Sequence, residues 1–232
     1  MTDIKDFEVD LLFARPTEYK EFKIYPLTID EIKEYGFTEY NRIIGLLSLD
    51  EEEIQDNYGI FDVNVYDLVI ISIYNNDDFK DNFLKLFSSI LKTPVSFHID
   101  NYFITEDKII DADIFYGIIG IILDQNVINK KKYQIKSKKE KEYYEMVKKA
   151  KEKYKKYLDS ENDSLILDII SSVGAKHPSL NIFNIGKLTI YQLFDQFHRL
   201  NYIDEYYISI KSMLAGAENI KLEHWSRKIK FN

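Results

Sequence analysis

The chain has 232 residues and a formal net charge of −8, with 45% hydrophobic and 15% aromatic residues. That is enough apolar side chain to bury a sizeable core and too much for a disordered chain. It contains no cysteine, which removes disulfides, thiolate metal sites and cysteine nucleophiles from consideration.

From the N-terminus, Val9–Phe13 and Phe22–Leu27, separated by Arg15-Pro16-Thr17, are predicted as extended segments and candidates for pairing. Thr28 followed by Glu31 has the spacing of a capping box and opens a helix that Gly36 stops. Thr38 starts another, with Tyr40, Ile43, Ile44 and Leu47 on one face. Glu51–Gly59 reads as an acidic loop. Helices are predicted over Val63–Tyr74 and Phe79–Lys92. The second is capped by Asp77 or Asp78, carries Phe79, Phe83, Leu86, Phe87, Ile90 and Leu91, and ends before Thr93-Pro94.

Val95, Phe97 and Ile99 then alternate with polar residues, and Asp100-Asn101 supplies a turn, so a β-hairpin is predicted near residues 95–105. Asp111 caps a largely apolar, central helix through Ala112–Asn126. Between Lys130 and Lys156 lie thirteen Lys and four Glu, a local +9 that leaves −17 for the rest. Tyr143, Met146, Val147, Ala150, Tyr154, Tyr157 and Leu158 stripe this charged helix, which either docks along one seam or projects as an arm. Asp159–Asp163 is a loop, Asp163 or Ser164 caps a helix ending near Gly174, and a connector with a candidate short helix follows. Thr189 and Gln192 repeat the capping-box spacing. They open a helix toward Leu214, with a candidate break at Asn201, and a short amphipathic tail closes the chain.

The fold class is therefore mainly α with a small β component and a helical C-terminal region. Three regions are expected: an N-terminal α+β region (1–129), the Lys-rich arm (130–160) and the C-terminal helices (161–232), with one continuous domain as the alternative.

Chemistry-bearing patterns are sparse. His98, His177, His198 and His224 form no H-E-x-x-H or H-x-H motif. Asp111-Ala112-Asp113 reads as a helix cap before a metal fragment. Asp195 and His198, at i,i+3, are the one acid–base pair in reach, yet no Ser, Thr or Lys nucleophile lies near them in sequence. A surface ion pair explains them as well. No glycine-rich phosphate loop occurs, and Glu51-Glu52-Glu53 lack a surrounding pocket. No catalytic, cofactor-binding or metal residue is assigned, no cofactor is expected, and the chain is expected not to be an enzyme. Lys130–Lys132 and Lys136–Lys139 with Tyr133, Tyr143 and Tyr144 could meet phosphates and bases. The absence of Arg, the interleaved Glu and the acidic whole disfavour nucleic acid.

The stretch KLTIYQLFDQFHRLNYIDEYY (187–207) has more apolar positions than one core-facing stripe needs, with Asp195 and His198 on its polar flank. On a helical tail, Leu222, Trp225 and Ile229 would share a face. Tyr191, Phe194, Phe197, Tyr202, Tyr206, Leu222, Trp225 and Ile229 are accordingly the candidate partner interface, with Trp225 the natural anchor.

Three stretches, FKIYPLTIDEIKEYGFTEYNRII, IILDQNVI and KLTIYQLFDQFHRL with LEHWSRKI, resemble in order and spacing a group of tail or baseplate assembly proteins. That group belongs to tailed phages infecting low-GC Gram-positive bacteria and includes tail assembly chaperones and baseplate-hub assembly factors. The abundance of Ile, Lys, Asn and Tyr agrees with a low-GC genome. The resemblance implies a non-enzymatic assembly or structural protein whose partners are other phage tail or baseplate proteins, found in the host cytoplasm during assembly or retained in the virion tail. No membrane association is expected: the N-terminus lacks the basic and apolar regions of a signal peptide, and the longest apolar run, Ile114–Leu123, is too short for a bilayer. The alternative is a nucleic-acid-binding phage protein using 130–156, and a third class is a metal-dependent hydrolase.

Overall fold

A computed structural model of the protein describes residues 4–128, 162–229 and 231. The charged helix predicted over Lys130–Leu158 lies outside them. Among the described residues the fold is mainly helical, with one two-stranded and one three-stranded sheet.

The chain opens with a helix, α1 (Ile4–Leu12), where an extended segment was expected at Val9–Phe13. Phe7 and Leu11 are spaced i,i+4 and share a helical face. Leu11 is buried, whereas Val9 and Phe13, whose alternation with Leu11 suggested a strand, are exposed. Ala14 is left-handed (φ 54°). Its amide donates to the Leu11 carbonyl at 3.3 Å and the Arg15 amide donates to that of Asp10 at 2.8 Å, which stops the helix as a Schellman turn. Phe22 does stand in a strand, β2 (Phe22–Ile24), but its antiparallel partner is β1 (Thr17–Tyr19).

Helix α2 (Ile29–Tyr35) starts at the predicted capping box of Thr28 and Glu31. Gly36, at φ 113°, ends it and precedes α3 (Phe37–Leu47), which buries Tyr40, Ile43, Ile44 and Leu47 as its pattern required. The acidic stretch expected to be a loop is a helix, α4 (Glu51–Tyr58). Asp50 Oδ1 accepts from the Glu53 amide at 2.8 Å, and Glu53 Oε2 accepts from the Asp50 amide at 3.0 Å. Glu51, Glu52 and Glu53 occupy its first turn, where the helix dipole favours negative charge, and Ile54 is its buried anchor.

Helices α5 (Val65–Asn75) and α6 (Asp77–Leu91) follow. The cap of α6 is Asn76 rather than Asp77 or Asp78. Its backbone is extended, and its side chain accepts from the Phe79 amide at 2.9 Å. Phe79, Phe83 and Phe87, four residues apart, stack at centroid distances of 5.8 and 4.4 Å. Strand β3 (Ser96–His98) turns through left-handed Asn101 (φ 63°) into β4 (Tyr102–Ile104), the predicted hairpin. A third strand, β5 (Ile109–Ile110), was not foreseen. Phe103 on β4 and Phe115 on α7 (Ala112–Gln125) complete the stack, 5.6 Å from each other and 5.4 Å (Phe83–Phe103) and 5.7 Å (Phe87–Phe115) from α6. All five rings are fully buried, and each such pair adds about 0.5–1.5 kcal/mol to its area burial.

Asp111 caps α7, accepting from the Ile114 amide at 2.9 Å. At Gly117 a Cβ would fall 2.1 Å from the Tyr19 ring, so glycine is what lets β1 close against α7. The Tyr40 hydroxyl donates to Asn126 Oδ1 at 2.7 Å, and Gln125 Nε2 donates to the Ile24 carbonyl at 3.2 Å. Burial pushes the Tyr40 phenol above its ordinary range.

Helix α8 (Asn162–Lys176) is already helical at Asn162, so Asp163 and Ser164 lie inside it rather than capping it. It also runs past Gly174. After a 3₁₀ turn at Ile185–Lys187, helix α9 (Ile190–Leu214) begins at the predicted Thr189/Gln192 box. It passes through Asn201 without a break, since one Asn lowers helix propensity by less than about 0.7 kcal/mol. The two box caps are neighbours: Thr28 and Thr189 form an antiparallel bridge, and the Ile29 amide donates to the Leu188 carbonyl at 2.8 Å. This joins the C-terminal helices to the body. The tail after Ala215 is not helical, against expectation. Gly216 (φ 89°) and Asn219 (φ 62°) turn the chain, and a further turn at residues 225–226 is closed by the Arg227 amide donating to the His224 carbonyl at 3.1 Å.

Candidate partner interface

Along its 25 residues α9 buries only Ile190, Leu193 and Leu200. The tail runs antiparallel along this helix as a strap. Arg199 Nη1 donates to the carbonyls of Trp225 at 2.6 Å and Arg227 at 2.9 Å. The Arg227 guanidinium lies over the Tyr202 ring, 4.0 Å from its centroid, in cation–π contact. It also pairs with Glu205 at 2.6 Å and with Glu223. The His224 ring meets Tyr206 at 5.2 Å, and Phe231 meets Tyr191 at 5.2 Å and His198 at 5.6 Å. Lys228 Nζ reaches Glu8 on α1 at 2.6 Å. Ile229 is buried.

The eight predicted interface residues therefore divide. Tyr191, Tyr202 and Tyr206 contact the strap, and Ile229 is the strap's own anchor. Phe194 and Phe197 are half-buried and pack against the body's core. Leu222 and Trp225 remain 43% and 38% exposed. They do not share a helical face, because the segment that carries them is not helical.

A second apolar surface went unseen in the sequence. In the connector, the Asn181 amide donates to Asn184 Oδ1 at 2.8 Å and the Phe183 amide to Asn181 Oδ1 at 2.9 Å. Asn184 Nδ2 donates to the Ser179 carbonyl at 2.9 Å. These bonds fix a tight loop that leaves Ile182 exposed and Phe183 91% exposed. The Asn residues flanking the Ile-Phe pair were the available signal, since Asn side chains bond their own turns. Tyr207, Ile208 and Leu214 add further exposed apolar surface on α9. Lys176 pairs with Asp204 and ties α8 to α9.

Asp195 and His198 do not form an ion pair with each other. Asp195 Oδ2 accepts from Gln196 Nε2 at 3.1 Å, while the His198 ring stands edge-on to Phe197 and Phe231. Burial raises the Asp195 carboxyl above its ordinary range, against the pull of Arg199 and His198. Burial lowers the His198 imidazole, opposed by Asp195. The other three histidines shape turns. Nδ1 of His98 accepts from the Asp100 amide, that of His177 from the Ser179 and Leu180 amides, and that of His224 from the Ser226 amide, all at 3.0–3.2 Å. Among the described residues no group of three or more His, Asp or Glu is placed to hold a metal ion, and no helix is long and apolar enough to cross a membrane.

No curated protein and no solved structure matches the chain. Residues 151–230, which take in α8, α9 and most of the strap, match a phage-derived family described as the YomV second domain.

Proposed function

We propose that the protein is a non-enzymatic phage assembly or structural protein that works through protein–protein contacts, with other tail or baseplate proteins as its partners. The observation that carries the reading is the exposed apolar set of the C-terminal region: Ile182, Phe183, Tyr207, Ile208, Leu222 and Trp225. It falls within the stretch that matches a phage-derived family. Scattered apolar residues are ordinary on a protein surface. A tight loop that presents adjacent Ile and Phe, and a strap that presents Trp, offer the kind of anchor that a docking face uses. The protein would act in the host cytoplasm during assembly or remain in the virion tail.

The test is binding of the tagged full-length chain to purified tail and baseplate proteins of the same phage. Phe183→Ser and Trp225→Ala are expected to weaken that complex at least about tenfold, as interface anchors do, with unchanged circular dichroism. Unchanged binding by both variants would remove the reading. Tight, steeply salt-dependent DNA binding by the full chain would instead favour a nucleic-acid role for the +9 segment at 130–156.

A further inference from the structure

We infer that the seat on α9 is an exchange site: the strap of one copy of the chain can leave its own α9 and occupy the α9 of a second copy. This stands apart from the tail-protein reading and holds whichever further partner the exposed residues meet.

Four observations support it. Over 221–229 the strap has no helix or strand, and Arg199 ties its main chain to α9 through the Trp225 and Arg227 carbonyls. Between Leu222 and Ile229 it buries one side chain, Ile229. Part-exposed ion pairs supply some of its remaining hold, with Arg227 on Glu205 and Lys228 on Glu8. The segment that joins it to α9 is exposed from Ala215 to Asn219 and turns through the positive φ angles of Gly216 and Asn219.

The seat is matched to this one sequence. It offers the Tyr202 ring and the Glu205 carboxylate to a guanidinium, the Tyr206 ring to His224, and the Tyr191 and His198 rings to Phe231. A second copy reproduces every one of these contacts in trans, so exchange alters only the course of the hinge. Reciprocal exchange between two copies fills both seats and closes as a twofold dimer. The exposed Trp225 and Leu222 would then be displayed twice on one assembly, which multiplies their effect on any repetitive partner.

The absence of native cysteine allows a direct experiment on the full-length chain. One copy carries Tyr206→Cys and the other His224→Cys. The two are mixed over a range of concentrations, incubated and oxidised. A disulfide between copies is expected in at least tenfold excess over a control pair of Gln55→Cys with His224→Cys. It should rise with concentration, and form faster in high salt, where the Arg227 and Lys228 pairs are screened. A single chain bearing both substitutions should close within itself and lose the trans product. The inference is overturned if the trans disulfide stays at the control level while the double variant closes in cis. It is equally overturned if the double variant does not close, because the seat would then not hold residue 224 against residue 206.

Discussion

Helices α6 and α9 are both aromatic-rich, yet they are held by different physics. In 15 residues α6 buries six side chains, and its Phe79, Phe83 and Phe87 stack on one another and on rings from β4 and α7. In 25 residues α9 buries three, and its rings at Tyr191, Tyr202 and Tyr206 meet a strap that is partly charged and partly open to water. Ring-on-ring packing away from water is lost only when the core itself opens. Exposed ion pairs contribute about 0–1 kcal/mol each and weaken in salt. The same residue types thus build a fixed core in one place and a contact that can be made and remade in the other.

The largest expected effect breaks the fixed side. Phe87→Ala leaves a cavity at the centre of the stack, and substitutions of this kind cost about 3–5 kcal/mol. Urea denaturation should show a lower midpoint with an unchanged slope, whereas Tyr207→Ala, on the exposed face of α9, should fall within about 0.5 kcal/mol of the parent. Equal effects of the two would mean that the contrast between the helices is only apparent.

What could be read in the sequence was local. The Thr28/Glu31 and Thr189/Gln192 boxes, the Asp111 cap and the four-residue spacing of the α6 phenylalanines each need only a few neighbouring residues, and all stand in the fold. The Asp50/Glu53 box of α4 was equally local but was overlooked behind the acidity of the stretch. Segment α1 misled because Val9, Leu11 and Phe13 alternate, and what decides between strand and helix there is the face that Phe7 and Leu11 share. The strap could not be read at all. Leu222, Trp225 and Ile229 have helical spacing, but Arg199, a residue 26 positions from Trp225, takes up the Trp225 and Arg227 carbonyls in a segment that is not helical. Tyr191, Tyr202, Tyr206 and Ile229, half of the predicted partner interface, lie where the tail meets α9 within the same chain, a contact that the sequence did not reveal. The Thr28–Thr189 bridge, which joins distant parts of the chain, was likewise invisible locally.

A smaller effect sharpens the reversible side. Arg227 is part-exposed and pairs with a Glu205 side chain that is 61% exposed, so Arg227→Ala should change global stability by no more than about 1 kcal/mol. Its removal nevertheless uncovers Tyr202 and frees Glu205, while Glu223 keeps its pair with Lys221. Hydrogen exchange should therefore speed up in the peptide covering 221–229 while amides of α6 keep their protection. A loss of protection throughout the molecule would show the strap to be part of the core's cooperative unit.

The smallest effect is one of pH, and it falls on the same side. Burial holds the His198 imidazole below its ordinary value of 6.5, so the unfolded chain takes up that proton first. The stability conferred by neutral His198 is present above 6.5 and is lost as pH falls below it toward the lowered folded value. Asp195 has the opposite sign. Its carboxyl is raised from 3.8, so the folded state gains a proton before the unfolded one, and this offsets the loss at more acidic pH. Because His198 is part-exposed, the effect should stay well below the roughly 1.4 kcal/mol of a full unit shift. Between about pH 7 and about pH 5.5, where histidine alone among ordinary side chains changes charge, stability of the parent should decline and His198→Gln should flatten the slope. Phe87→Ala should lower the whole curve and leave the slope in place. Since His198 touches Phe231, the last described residue of the strap, its protonation should also raise hydrogen exchange in the tail before any change reaches α6. A slope that survives His198→Gln would assign the pH response to a group elsewhere in the molecule.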